Sequence, residues 1–307
     1  MALSNLQKVL ESGTFAATAE LGPPRNADAS VVKEKADILK GYADAVNITD
    51  NQTAIVRMSS ISAAVMLIEK GLEPVVQMTC RDRNRLAIQS DILGAAALGV
   101  KNVLCLTGDH QIFGDHPQAK GVWDMDSISL IKILKDMRDD KKLANGDEME
   151  VPPMIFIGAA ENPFADPFET RARRLKKKID AGAQFIQTQI VYNVEKFAMW
   201  MDEVRSLGLD KRAYIMAGIS PLKSAGMAKY MKSNVPGMDV PDEYIERMTA
   251  AKEAGRDPKA EGIQIAVELI EKMKGIPGIA GVHVMAIEWE EAVPGIMEGA
   301  GLLPRPN

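Results

Sequence analysis

Cysteine is nearly absent from this chain of 307 residues, which carries only Cys80 and Cys105. Two thiolates cannot hold an iron–sulfur cluster, which takes about four. Both lie in or beside apolar runs and read as buried, reduced thiols. Histidine is also scarce, and His110, His116 and His283 do not fall at zinc-ligand spacings, so no metal site is expected. No apolar run reaches the roughly 18 residues needed to span a bilayer. The opening MALSNLQKVLESG lacks the basic-then-apolar pattern of a secretory signal, so the expected location is cytoplasmic. There is no GxxxxGK[ST] phosphate loop and no GxSxG elbow. The 37 basic and 42 acidic side chains nearly balance, and nothing basic is concentrated enough to indicate nucleic acid. The one dense cluster, Arg171 to Lys178, alternates with apolar residues at helical spacing and reads as a solvated helix face.

Eight β-type runs are present: Thr14–Glu20, Asp44–Thr49, Glu73–Thr79, Asn102–Thr107, Met154–Ala159, Ala183–Ile190, Arg212–Ala217 and Gly281–Ile287. Most are apolar with little strict alternation, as expected of parallel strands covered on both faces. Helical patterns lie between them. A glycine recurs before several runs (Gly41, Gly71, Gly99, Gly182, Gly208), where a helix ending in a left-handed residue favours it. Early in the chain this unit repeats about every 29 residues, the length of a βα unit. Such units either close into a barrel or open into a doubly wound sheet. With no glycine-rich fingerprint after the first strand, the expectation is an α/β protein with a single (β/α)8 TIM barrel. One domain is expected over 1–307, with insertions near 109–124, 139–151 and 234–259, the last containing Pro236, Pro241 and Pro258.

In a β/α barrel, chemistry collects at the C-terminal ends of the strands. Those ends carry Glu20, Asn47 with Thr49, Gln77 with Thr79, Thr107-Gly108-Asp109, and Gln187 with Gln189. Side chains two apart point the same way, so these pairs are expected to line the barrel mouth. Glu20 lies between Ala19 and Leu21, and an apolar setting favours the protonated form of a carboxyl, which suits a proton donor. The plain alternative is an ion pair with Arg25. Asp109, after a glycine, would stabilise a developing cation or bind a polar heterocycle. His283, inside an apolar strand, reads as a hydrogen-bonded core residue.

The segments T-A-E-L-G-P-P-R (18–25), V-V-Q-M-T-C (75–80), L-T-G-D (106–109), D-A-G-A-Q-F-I-Q-T-Q (180–189), G-I-S-P-L (218–222) and E-G-A-G-L-L-P-R-P (298–306) occur in order. Together they resemble the methylenetetrahydrofolate reductases. The resemblance implies a barrel that binds flavin at its C-terminal mouth. It implies an oxidoreductase passing hydride from reduced flavin to 5,10-methylenetetrahydrofolate, giving 5-methyltetrahydrofolate. Glu20 matches the family's general acid, which protonates N10 of the folate. Asp109 matches an aspartate between flavin and pterin, and Gln189 a glutamine that contacts the folate. Thr49, Gln77, Thr107, Gly108, Asp109, Ala160 and Lys178 fall on flavin-contact positions, with Lys178 placed to pair with a flavin phosphate.

The sequence departs from the family's pattern at several of these places. Thr107 stands where many bacterial members carry arginine, and Gln77 where they carry histidine. Arg171 falls near an acidic flavin contact. Ala225 replaces an aromatic residue and Trp289 an arginine. The resemblance implies FAD, with FMN as the alternative, and the departures leave NAD(P)H open as the donor. A second reading is a flavin-carrying electron-transfer subunit, active only with a partner protein that supplies electrons, in a homo- or hetero-oligomer. A third is a pterin-binding barrel that passes methyl groups to a corrinoid protein.

Overall fold

The computed structural model describes residues 4–235 and 237–306; Met1–Leu3, Pro236 and Asn307 lie outside the described residues. Eight strands pair in parallel and in chain order, and the last closes on the first. They are β1 (Ala16–Leu21), β2 (Ala45–Ile48), β3 (Pro74–Thr79), β4 (Asn102–Leu106), β5 (Phe156–Glu161), β6 (Phe185–Ile190), β7 (Tyr214–Ile219) and β8 (Ile279–Val284). Helix α1 (Asn5–Glu11) precedes the first strand. The connections carry α2 (Ala29–Leu39), α3 (Ser60–Glu69), α4 (Arg85–Ala97), α5 (Ser127–Lys135), α6 (Arg171–Ala181), α7 (Val194–Ser206), α8 (Ala225–Asn234), α9 (Asp242–Glu253) and α10 (Pro258–Lys274). Helix α11 (Ala292–Gly299) follows β8. Among the described residues, no helix is long and apolar enough to cross a membrane. The sequence therefore located all eight strands, with ends displaced by a few residues, and the expected barrel is the fold observed.

Two apolar layers hold the barrel. The larger lies between strands and helices, and the smaller fills the barrel's lower interior with Ala16, Ala45, Val75, Leu104, Phe156, Phe185 and Met216, sealed below by Leu6, Val9 and Leu10 of α1. Phe156 and Phe185 stack with ring centroids 4.9 Å apart, a contact worth about 0.5–1.5 kcal/mol beyond area burial. A Cβ on Gly158 would come within 2.2 Å of the Phe185 ring, so that position must be glycine for the plug to fit. Glu73 fixes α1 by accepting from the main-chain N–H groups of Asn5 (2.6 Å) and Leu6 (2.9 Å). Because strand side chains alternate, the inward series run from apolar below to polar above: Ala16, Thr18, Glu20 on β1; Phe185, Gln187, Gln189 on β6.

The three expected insertions differ in kind. Residues 109–124 are irregular apart from a 3-10 turn at Gln111–Phe113, and 139–151 holds an antiparallel bridge between Lys142 and Glu148. Within 234–259, however, lies α9, with Tyr244, Met248 and Ala251 buried. Its helical apolar spacing is masked in sequence by charge and by flanking proline. The last β-type run also stops short, at Val284. Ile287 and Glu288 adopt left-handed backbone (φ 44° and 55°), which a strand cannot accommodate and a β-branched residue rarely adopts.

Candidate active site

The polar upper ends of the inward series enclose a cavity of about 270 Å³, whose lining includes Glu20, Gln77, Ala160, Glu161, Gln189 and His283. Glu20 is 6% exposed. Gln77 Nε2 donates to its carboxylate at 3.4 Å, and His283 Nε2 stands 3.8 Å from the same oxygen. Arg25 does not pair with Glu20; it reaches Asp115 at 2.5 Å instead. The ion-pair alternative for Glu20 is thereby overturned, because the loop after β1 carries Arg25 out to a half-exposed position over the 109–124 loop.

The strand-end pairs divide. Asn47 exchanges hydrogen bonds with Gln187 across the barrel (2.6 and 3.0 Å). Thr49 Oγ1 is buried with no partner among the described residues. Gln77 reaches the cavity, whereas Thr79 donates both its N–H and its hydroxyl to Asp50 at 2.9 Å. Asp50 also receives Arg83, so Thr79 belongs to a structural network. Gln187 and Gln189 both line the cavity.

The Thr107-Gly108-Asp109 end is brought to the rim, not into the cavity lining. Thr107 Oγ1 accepts from the Ser127 N–H at 3.1 Å and faces the start of α5. Gly108 has φ +94°, and a Cβ there would meet the Thr79 and Arg81 side chains at 3.1–3.2 Å. Asp109 is exposed, and its main-chain carbonyl accepts from buried Arg81. The hydrogen bond from Arg81 to Asp82 pushes the guanidinium's pKa up, so it stays charged despite burial.

Three cavity residues carry chemistry that is not evident from the sequence. Glu161, at the end of β5, is paired with Lys178 at 2.8 Å; Lys178 also donates to the Ala160 carbonyl. Asn162 follows it in the lining. His283 is the buried, hydrogen-bonded residue that its apolar strand implies, bonded to Thr18 at 2.9 Å, but its other ring nitrogen faces Glu20. The available signal was register: His283 on β8 neighbours Thr18 on β1 once the barrel closes.

The loop after β8 gives Met285 to the cavity lining, and the residues that follow are tied down by cations. Lys223 donates to the Ile287 carbonyl at 2.7 Å, Arg57 pairs with Glu288 at 2.8 Å, and Lys35 pairs with buried Glu290 at 2.6 Å. Lys259 lies 5.4 Å from the ring centre of Trp289. Cations from four parts of the chain thus pin a segment that contains two left-handed residues.

Residues 5–301 match the family model described as methylenetetrahydrofolate reductase. The chain is 28% identical over 255 residues to methylenetetrahydrofolate reductase 2 of Schizosaccharomyces pombe, covering 80% of this chain and 38% of that protein. It is 23% identical over 235 residues to 5,10-methylenetetrahydrofolate reductase of Escherichia coli, covering 76% and 72%. It thus spans well under half the length of the yeast relative. Among solved structures, a Clostridium thermocellum protein described as binding two copies of 5-methyl-5,6,7,8-tetrahydrofolic acid superposes with a TM-score of 0.67 at 13% identity, covering 97% of this chain and 100% of that one. That likeness is one of fold.

Proposed function

The chain belongs to the methylenetetrahydrofolate reductase family, and from that membership we propose that it reduces 5,10-methylenetetrahydrofolate to 5-methyltetrahydrofolate with a non-covalently bound flavin. The observation that carries the reading is the buried carboxyl of Glu20, held by Gln77 and faced by His283 at the barrel mouth. A folate whose methylene carbon bridges two nitrogens is a poor hydride acceptor until N10 is protonated. Glu20 is placed to give that proton, and a positioned acid typically contributes roughly 10²–10⁴-fold.

The residues present fit a flavin in donor chemistry. Thr49 offers a buried, unpartnered hydroxyl, Gln77 and Gln189 offer amides at the cavity wall, and Gly108 lets the main chain pass close to Thr79. The flavin would supply the hydride. Asp109 at the rim would face the cationic form of the substrate, and Gln189 would hold the pterin. Family membership favours FAD, with FMN the alternative.

A second reading rests on two departures from the family pattern, at Ala225 and Trp289. Trp289 lies beneath Lys259, and Ala225 begins α8 with no ring to offer. A nicotinamide would have to stack on the flavin, and the family resemblance puts both altered positions beside it. On this reading electrons come from a partner subunit and the working form is an oligomer. The test is an absorbance spectrum of the purified chain with identification of the released cofactor, followed by anaerobic mixing of the reduced protein with methylenetetrahydrofolate. Bound flavin that is reoxidised by the folate is expected. A colourless protein that takes up no added flavin would overturn the proposal.

A further inference from the structure

Below Glu20 the barrel interior holds a connected set of buried polar side chains: Asn47 and Thr18 are 0% exposed, and Gln187 and His283, at the cavity floor, are 2% and 3% exposed. We propose that the Asn47–Gln187 amide pair, acting through Thr18, fixes His283 as the tautomer with its proton on Nε2 and so turns a hydrogen-bond donor toward Glu20. Asn47 and Gln187 are then positioning residues for the acid. The inference rests on the reading of Glu20 as the proton donor.

Each donor and acceptor in this set has an identifiable partner. Gln187 Oε1 accepts from Asn47 Nδ2 at 2.6 Å. Gln187 Nε2 donates to Asn47 Oδ1 at 3.0 Å and to Thr18 Oγ1 at 3.2 Å, so both its protons are engaged. Thr18 Oγ1 is therefore an acceptor, and its own proton has two destinations: His283 Nδ1 at 2.9 Å or the Val282 carbonyl at 3.5 Å. The nearer is the better hydrogen bond. His283 Nδ1 then carries a lone pair, and the imidazole proton sits on Nε2, since the partner of one ring nitrogen decides the state of the other. Nε2 is the atom that faces Glu20 Oε2, at 3.8 Å.

That separation is too long for a hydrogen bond, but catalytic contacts commonly tighten when substrate binds. A proton on Nε2 stabilises the carboxylate left when Glu20 protonates the folate. The opposite tautomer would present a lone pair to that carboxylate and disfavour the transfer. Glu161 is the other titratable side chain in the cavity lining, and its charge is matched by Lys178. Turning both amides over together would preserve their mutual hydrogen bonds but present Gln187 Oε1 to Thr18. The Thr18 proton would move there and the imidazole proton to Nδ1. The tautomer of His283 therefore reports the orientation of the amide pair.

Nitrogen-15 NMR of imidazole-labelled protein reads this directly. The chain has three histidines, and His110 and His116 are exposed while His283 is buried. The wild-type His283 should be protonated on Nε2. In Asn47→Leu/Gln187→Leu, which leaves no amide unpaired, Thr18 can accept from Nδ1–H, and the proton should shift toward Nδ1. Thr18→Val should also lose the wild-type tautomer, and Thr18→Ser should keep it. Single-turnover oxidation of the reduced flavin by methylenetetrahydrofolate should fall about tenfold in the double variant. An Nδ1–H wild type, an unmoved tautomer in the double variant, or a moved tautomer with an unchanged rate would each overturn the proposal. If the wild-type protein reduces no folate, the proposed function fails on its own, and the NMR comparison still decides the tautomer.

Discussion

Lys178 Nζ lies 2.8 Å from a carboxylate oxygen of Glu161, with the two side chains 8% and 1% exposed. The family resemblance gives Lys178 a flavin phosphate, whereas the fold gives it a carboxylate. Lys178→Met should destabilise the protein by about 3–5 kcal/mol, because it strands a buried charge. Lys178→Met/Glu161→Gln should recover most of that loss in urea unfolding. If Lys178 also holds a flavin phosphate, the folded double variant should retain less flavin through gel filtration. Undiminished occupancy would remove Lys178 from the cofactor site.

Glu20→Gln preserves size and the contact with Gln77 but cannot give a proton. Flavin binding and its reduction by dithionite should survive, while oxidation of the reduced flavin by methylenetetrahydrofolate should slow by roughly 10²-fold or more. Stopped-flow absorbance decides it. A variant reoxidised near the wild-type rate would make Glu20 a structural residue.

Asp109→Asn keeps the shape of an exposed rim residue and removes its charge. Reduction of the folate should slow about tenfold, ~1.4 kcal/mol of barrier, with less effect on flavin reduction by an artificial donor, since only the folate step develops a cation. Equal slowing of both half-reactions would contradict a role in meeting that cation.

The family resemblance places Ala225 and Trp289 near the electron donor, where relatives carry an aromatic residue and an arginine, and Trp289 here lies under Lys259. Turnover of the isolated chain with NADH or NADPH should be weak beside turnover with an artificial reductant. Robust steady-state activity with either nucleotide would remove the case for an electron-supplying partner.

Burial pushes the Cys80 thiol up to about 12, and burial also raises Cys105 well above its ordinary value. The reactive thiolate is then scarce at any pH the fold tolerates. A thiol reagent at pH 8 should label neither cysteine in the native protein and both after unfolding. Rapid labelling of native protein would show that the β3–β4 region opens.

The sequence by itself determined the strands, their parallel order and the place of Glu20 at the barrel mouth. Buried parallel strands are written as apolar runs, and the glycine before several of them marks the helix end, so both are local signals. Glu20, Gln77 and Gln189 could be placed at the mouth because alternation along a strand is local too. Tertiary structure decided which polar strand-end groups face the cavity. Thr79 is taken by Asp50, Thr107 by the start of α5, Arg25 by Asp115 and Lys178 by Glu161. His283 meets Thr18 across 265 positions of sequence, through the closure of β8 on β1. Hydrogen bonds of that span are fixed by the circumference and register of a closed sheet, and no window of residues along the chain contains that information.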